Sequence, residues 1–274
     1  MIWWSRGLVD LALTGYLWAT VQALTELSGR RVTWPVPTRA LLVAGWAAHT
    51  LGLVLRAVAL GRPPVGGLHG ALSTLVWAAV LLLLWGERRD AMRSLPAFVL
   101  APVALLSLAA AAAPEAAVFG APGAPGEASH ALFIVLGLGA LAGNFAGGLM
   151  YVLQERALRR GRLLGLSRRL PPLDALDRFS FHALVAGFPF LTLGLVLGTI
   201  AAARAFGPAW LWQPTPVVAV ATWAIYAATL WLRAGAGWGG RRAAYLAVLG
   251  FAGMVTTLSV SLLLPTRHVA LLGP

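Results

Sequence analysis

Long apolar runs alternate along this chain with short segments that hold most of its charge. The runs occupy approximately residues 7–26, 38–60, 67–86, 95–113, 130–153, 180–203, 216–233 and 243–264. Each is close to the roughly 20 residues that an α-helix needs to cross the hydrocarbon of a bilayer. None shows the two-residue alternation of a barrel strand. The pattern predicts an all-α, polytopic transmembrane helical bundle of about eight spans, with one integral membrane domain over 1–274. The first run is long enough to span, only Arg6 precedes it, and no small-residue cleavage pattern follows it, so it reads as a span and not as a signal peptide.

Composition supports the pattern. Of the 274 residues, 59% are hydrophobic and 11% charged, and the mean hydropathy is +0.79. Soluble domains run near 25% charged. A water-soluble fold could not cover so much apolar surface. The chain has no cysteine, which excludes thiolate chemistry, disulfides, iron–sulfur ligation and the CxxCH attachment of haem.

The charge balance of +12 gives the bundle sides. All 21 basic residues are arginines, and they gather at the ends of apolar runs. Nucleic-acid binding would instead spread them over a soluble face with interleaved aromatics, so no nucleic-acid partner is expected. One set of alternate connections holds sixteen: 30, 31 and 39, then 88, 89 and 93, then seven between 156 and 178, then 233, 241 and 242. The other set holds Arg6, Arg56, Arg62, Arg204 and Arg267. Basic short loops stay in the cytoplasm. Both termini therefore point outward, with 154–179 as a basic cytoplasmic loop and 207–216 as an external Trp/Pro loop. The Gly/Pro/Ala stretch 114–128 lies outside as well.

Gly139, Gly143 and Gly147 repeat every four residues in the fifth run, which puts them on one helix face and lets a neighbour approach closely. Gly187-Phe188-Pro189 reads as a break in the sixth, of the type seen in transporters.

Ionisable groups inside a bilayer are costly and usually have a reason, so the five histidines are the natural candidates for chemistry. His49 sits mid-span on a face shared with Trp46, Leu53 and Arg56. A buried histidine that merely bonds a neighbouring helix is the alternative reading. His130 opens the fifth span and His268 follows the eighth, both outside, where two neutral imidazoles could converge on one metal centre. His69 reads as interfacial at the outer face, and His182 lies near the cytoplasmic start of the sixth span. Between His130 and His268 runs AWLWQPTPVVAVATWAIYAATLW, with Trp210, Trp212 and Trp223. Interfacial aromatic belts explain many such residues, and flat indoles also make a shelf for a flat ligand such as a porphyrin.

These residues resemble a family, the cytochrome c assembly proteins of the CcsA/HemX type. The resemblance covers nearly the whole chain. It rests on AAHTLGLVLRAV at 47–58, LVWAAVLLLLWGERR at 75–89, GLMYVLQERALRRG at 148–161, LPPLDALDRFSFHALVAGFPFLTLGLVLGT at 170–199, TWAIYAATLWLRAGAGWGGRRAAYLAVLGF at 222–251 and the late Arg267-His268. It implies that His130 and His268 match external axial histidines of haem iron, that Trp210, Trp212 and Trp223 match a tryptophan-rich haem-handling segment, and that His49 matches an intramembrane histidine.

The implied function is a haem-binding or haem-handling membrane protein related to cytochrome c biogenesis, holding non-covalent haem b at the outer face of a bacterial cytoplasmic membrane. Implied partners are other cytochrome c biogenesis membrane proteins or a haem-biosynthesis enzyme, besides the lipid bilayer. Where many members carry Asp-Pro-Lys-Glu-Trp, this chain has Gln213, Pro214, Thr215, Pro216 and Val217, and it has Trp231 in place of a second intramembrane histidine. In length and span number it is closer to the short HemX-like branch. That branch implies an alternative: a regulatory membrane protein of haem biosynthesis that has lost haem delivery and acts through its cytoplasmic loop. No serine, histidine and carboxylate gather on one side, and no carboxylates pair inside the membrane, so the chain reads as a non-enzyme.

Overall fold

A backbone in hydrocarbon has no water to bond, so each apolar run must satisfy its own N–H and C=O groups, and only helices do that within one segment. The computed structural model describes residues 2–29, 32–61, 63–65, 67–87, 94–113, 127–161 and 170–263. Among them are eight α-helices and no strands: α1 (Ile2–Ser28), α2 (Thr38–Leu60), α3 (Gly67–Glu87), α4 (Leu95–Ala112), α5 (Glu127–Arg159), α6 (Leu173–Phe206), α7 (Pro214–Ala234) and α8 (Gly240–Leu263). This is the polytopic helical bundle that the hydropathy pattern predicts. Seven of the eight, α2 to α8, are long and apolar enough to cross a membrane.

The exception is α1, and its packing explains it. It runs antiparallel along the whole of α2: Gly52 lies against Ser5 and Val9, Gly45 against Tyr16 and Ala12, and Gln22 bonds the Val36 carbonyl at 3.2 Å. Its 27 residues amount to about 40 Å of helix, enough to traverse the same depth as α2. Its polar residues are spent on that hairpin. The Thr38 hydroxyl lies 2.9 Å from Gln22 Oε1 and 3.2 Å from Glu26 Oε1, and Arg6 pairs with Asp10 one turn away at 3.6 Å.

The helices form two sets of four. In the first, α1 packs on α2 and α4, and α3 on α4; in the second, α5 packs on α6 and α8, and α7 on α8. The sets meet where α3 lies against α5. A large apolar core fills the first set and reaches Met150 and Phe179, and a smaller one around Leu141, Leu184, Leu191, Tyr226 and Met254 fills the second. Outward faces carry Val54, Val58, Leu193, Val196 and Leu258, all exposed, as lipid-facing surfaces require.

The longest seam is α5 against α6, and glycines make it. A Cβ on Gly137 would stand 2.9 Å from the Leu191 backbone nitrogen, and one on Gly147 3.1 Å from Phe179 and Ser180. Gly139 and Gly143 are on the face turned to α3, against Ala78 and Leu82. The four-residue glycine repeat thus does what its spacing predicts, though it serves two neighbours.

Three sequence expectations need correction. Gly187-Phe188-Pro189 is no break, because α6 runs through Pro189 without interruption. Residues 154–179 are not all loop: α5 continues to Arg159 and α6 begins at Leu173. Ion pairs one turn apart, Glu155 with Arg159 at 2.8 Å and Asp174 with Arg178, extend both helices beyond their apolar runs. Finally, α7 starts at Pro214, inside the expected 207–216 loop, since proline is well suited to a helix's first turn. A 3-10 turn over Pro208–Trp212 fills the remainder.

Candidate functional site

Two places in the bundle hold histidines with distinct environments. One is the end where α5 begins, α6 finishes and α7 begins. The other lies inside the first set of helices.

His130 stands in the first turn of α5 and faces α6 at two glycines. Its Nδ1–H donates to the Gly194 carbonyl at 2.6 Å, and a Cβ on Gly198 would come within 2.5 Å of the ring. The ring needs Gly198 for this approach, whereas a Cβ on Gly194 would meet Ile134. A carbonyl can only accept, so Nδ1 carries a proton, and Nε2 is the nitrogen on which the neutral tautomer has its lone pair. Histidines that bind metal are held in this way, with the distal nitrogen fixed by a carbonyl or carboxylate. His130 is half-buried, and its donor arrangement fits an axial ligand of haem iron. His268 lies outside the described residues.

The three tryptophans do not share one shelf. Trp212 is 86% exposed on the 3-10 turn, whereas Trp210 is buried against the helix ends. Trp223 is not in a loop at all: it lies nine residues into α7, about 14 Å down the helix. Its indole N–H donates to Thr192 Oγ1 at 3.0 Å and its ring stacks on Phe188 at 5.7 Å. Thr192 and Gly194 are two positions apart on α6, which turns them about 200° from each other. Helix α6 therefore stands between Trp223 and His130. Trp212 is the one of the three that offers an open indole face. Trp231, at the position where a family histidine would lie, is 70% exposed on the lipid side.

His49 is fully buried between α1 and α3. Its Nε2 lies 2.8 Å from Ser73 Oγ and its Nδ1 3.4 Å from the Tyr16 hydroxyl, an arrangement that suits the tautomer in which Nε2 donates to Ser73 and Nδ1 accepts from Tyr16. With both nitrogens engaged by hydroxyls and apolar side chains packed around it, the ring does not fit a haem ligand. This is the alternative considered from sequence, a histidine hydrogen-bonded within the bundle. One turn before Ser73 on α3 is His69. It stands in the first turn of α3, where the sequence expects it, but it is packed inside the helices: only 2% exposed, it donates from Nδ1 to the Ala110 carbonyl of α4 at 2.8 Å. Next to this network Trp46 stacks on Trp77 at 5.6 Å, and the Trp77 N–H donates to Thr50. His182, at the far end, meets the edge of Trp85.

That far end holds a feature that sequence reading passed over. Arg233 at the end of α7 pairs with Asp177 of α6 at 3.1 Å, also donates to the Asp177 carbonyl at 3.0 Å, and lies over the Phe181 ring. The same carboxylate accepts the Gly240 N–H at the start of α8, at 3.0 Å. One acid thus ties three helices. Its signal was available in the sequence as a lone acid–base combination beside an apolar run, Asp177 against Arg233, but nothing in the spacing pairs them.

A family model described as cytochrome C assembly protein matches residues 65–268. Among curated proteins, the chain is 30% identical over 227 residues to a cytochrome c biogenesis protein CcsA from Prochlorococcus marinus subsp. pastoris, covering 73% of this chain and 72% of the relative. It is 28% identical to the protein of that name from Guillardia theta, covering 75% and 76%. Another from Prochlorococcus marinus is 32% identical over 233 residues, with 73% of each covered.

Proposed function

Since the chain belongs to the cytochrome c assembly protein family and is a multi-pass membrane protein of cytochrome c biogenesis, we propose that it holds non-covalent haem b at the end of the bundle that carries His130 and the Pro208–Trp212 turn, and presents it without making a covalent bond itself. The observation that carries the reading is the His130 ring, whose Nδ1–H is fixed by Gly194 while Nε2 keeps its lone pair for a metal. His130 and His268 are the proposed axial pair. Trp212 supplies an exposed aromatic face on the Pro208–Trp212 turn, Trp210 anchors the turn, and Trp223 braces α7 against α6. His49 serves the fold of the first four helices.

Orientation supports the same site. The opposite end of the second set holds Arg156, Arg159, Arg241 and Arg242, and this arginine bias supports a His130 end on the outer side of a bacterial cytoplasmic membrane. Haem there would meet other cytochrome c biogenesis proteins at the outer face.

Purified protein reconstituted with haem should show the Soret and α bands of bis-histidine iron. His130→Ala and His268→Ala should each abolish that spectrum, and His49→Ala should leave it. A wild type that remains colourless after reconstitution sinks the proposal.

The replacement of the usual acid–base run by Gln213 to Val217 favours a second reading, a HemX-like regulator of haem biosynthesis that acts through the basic 154–179 segment on a haem-biosynthesis enzyme. Replacing residues 162–169 by a neutral linker should then abolish capture of that enzyme while haem content stays the same.

A further inference from the structure

The arginine-rich end carries a second candidate site, on the connection between α7 and α8. An open cleft of about 520 Å³ is lined by Ala236, Gly237, Trp238, Gly239, Arg241 and Arg242. Both arginines are exposed. Arg242 lies over the Trp238 ring at 5.1 Å and forms no ion pair among the described residues. Arg241 lies over Tyr245 at 5.5 Å, and its nearest acid, Glu155, is 3.7 Å away and shared with Arg159 at 2.8 Å. The third arginine nearby, Arg233, is already held by Asp177. Two guanidinium groups therefore lie at the cleft with two carboxylates near it: Glu155, weakly placed on Arg241, and Asp177, next to Gly239 but already engaged by Arg233 and the Gly240 N–H.

The cleft continues into a lipid-facing stripe. Arg242, Tyr245 and Leu249 follow one another at helical spacing on α8, and Tyr245 is 40% and Leu249 52% exposed. A ligand here would have an anionic head at the arginines and an apolar body along the helix. Basic clefts between transmembrane helices at the cytoplasmic face recognise acidic lipid headgroups in this way, and planar guanidinium groups suit phosphate oxygens.

We propose that Arg241 and Arg242, with Trp238 beside them, form a site for the phosphate headgroup of an anionic phospholipid, whose acyl chains lie along Tyr245 and Leu249. The site is independent of haem. The lipid ties the α7–α8 connection to the bilayer surface on the side opposite His130.

The test compares retention of phosphatidylglycerol and phosphatidylcholine by delipidated full-length protein in detergent, measured by native mass spectrometry. The paired variant Arg241→Gln/Arg242→Gln should bind phosphatidylglycerol about 10-fold more weakly, with phosphatidylcholine unchanged. Arg204→Gln, at the other end of the bundle, should leave both lipids unaffected. Trp238→Ala alone should give a smaller loss, which keeps the test valid if the paired variant folds poorly. Three results would overturn the proposal: equal phosphatidylglycerol binding by wild type and paired variant, an equal loss in Arg204→Gln, or displacement of the lipid by excess inorganic phosphate as effective as that by phosphatidylglycerol itself.

Discussion

The two sets of four helices solve the problem of packing in lipid by different means. In α1–α4, polar side chains deep in the bundle bond one another: Tyr16, His49 and Ser73 form a chain, His69 reaches the Ala110 carbonyl, and Thr20 lies 3.2 Å from the Leu100 carbonyl. In α5–α8, backbones come together through glycine, and the polar links are scattered single pairs: Asn144 donates to the Ser180 carbonyl and lies 2.9 Å from its hydroxyl, Trp223 donates to Thr192, and Thr222 lies 3.1 Å from Thr257. Hydrocarbon gives little hydrophobic drive for helices to associate, so close contact and hydrogen bonds must supply it. The difference bears on function. A histidine consumed by a packing network is unavailable to a ligand, whereas His130 at the rim of the glycine seam keeps one nitrogen free of its helix contact.

The glycine seam is the place where a single substitution should cost most. Gly137→Val would force a side chain against the Leu191 backbone, which cannot give way as a flexible side chain could. A loss of about 3 kcal/mol is expected, visible as a lower midpoint in denaturant unfolding of the detergent-solubilised protein. A midpoint within error of wild type would mean that α5 and α6 are not held by close approach.

Next comes the polar network of the first set. His49→Ala strands the Tyr16 and Ser73 hydroxyls in the core and should cost about 2 kcal/mol, with haem binding unchanged once the protein is folded. A variant that keeps its stability and loses its haem spectrum would reverse the roles assigned to the two histidines. His130→Ala is the mirror experiment. The ring is half-buried and holds one carbonyl, so stability should fall by less than about 1 kcal/mol while the bis-histidine bands vanish.

The smallest effect is expected at Gly15 of α1, where a Cβ would meet nothing within 4 Å. Gly15→Ala should be neutral or raise stability by about 0.5 kcal/mol through helix propensity. A marked loss there would show that glycine contact in the first set extends beyond Gly45 and Gly52.

Much of the fold was legible in the chain because bilayer thickness and backbone hydrogen bonding leave so few options for an apolar run. Span positions, the glycine face at 139, 143 and 147, and family membership all follow from local pattern. Helix ends were less legible, since ion pairs such as Glu155 with Arg159 and a proline start at Pro214 carry helices past their apolar cores. Burial of individual polar residues was the least legible. His49, His69 and His130 look alike to a hydropathy profile, and only their neighbours distinguish them.

By itself, then, the sequence determined that this is a helical membrane protein of the cytochrome c assembly family, with its basic residues weighted to one face. The tertiary structure alone decided which imidazole has both nitrogens engaged by hydroxyls and which is bonded through one to a carbonyl, that α6 separates Trp223 from His130, and that Asp177 joins three helices. The physical reason is range. Hydropathy and propensity act over a few neighbours in the chain, whereas a histidine's hydrogen bonds are made by Ser73, Tyr16 or Gly194 from other helices, 24 to 64 residues away.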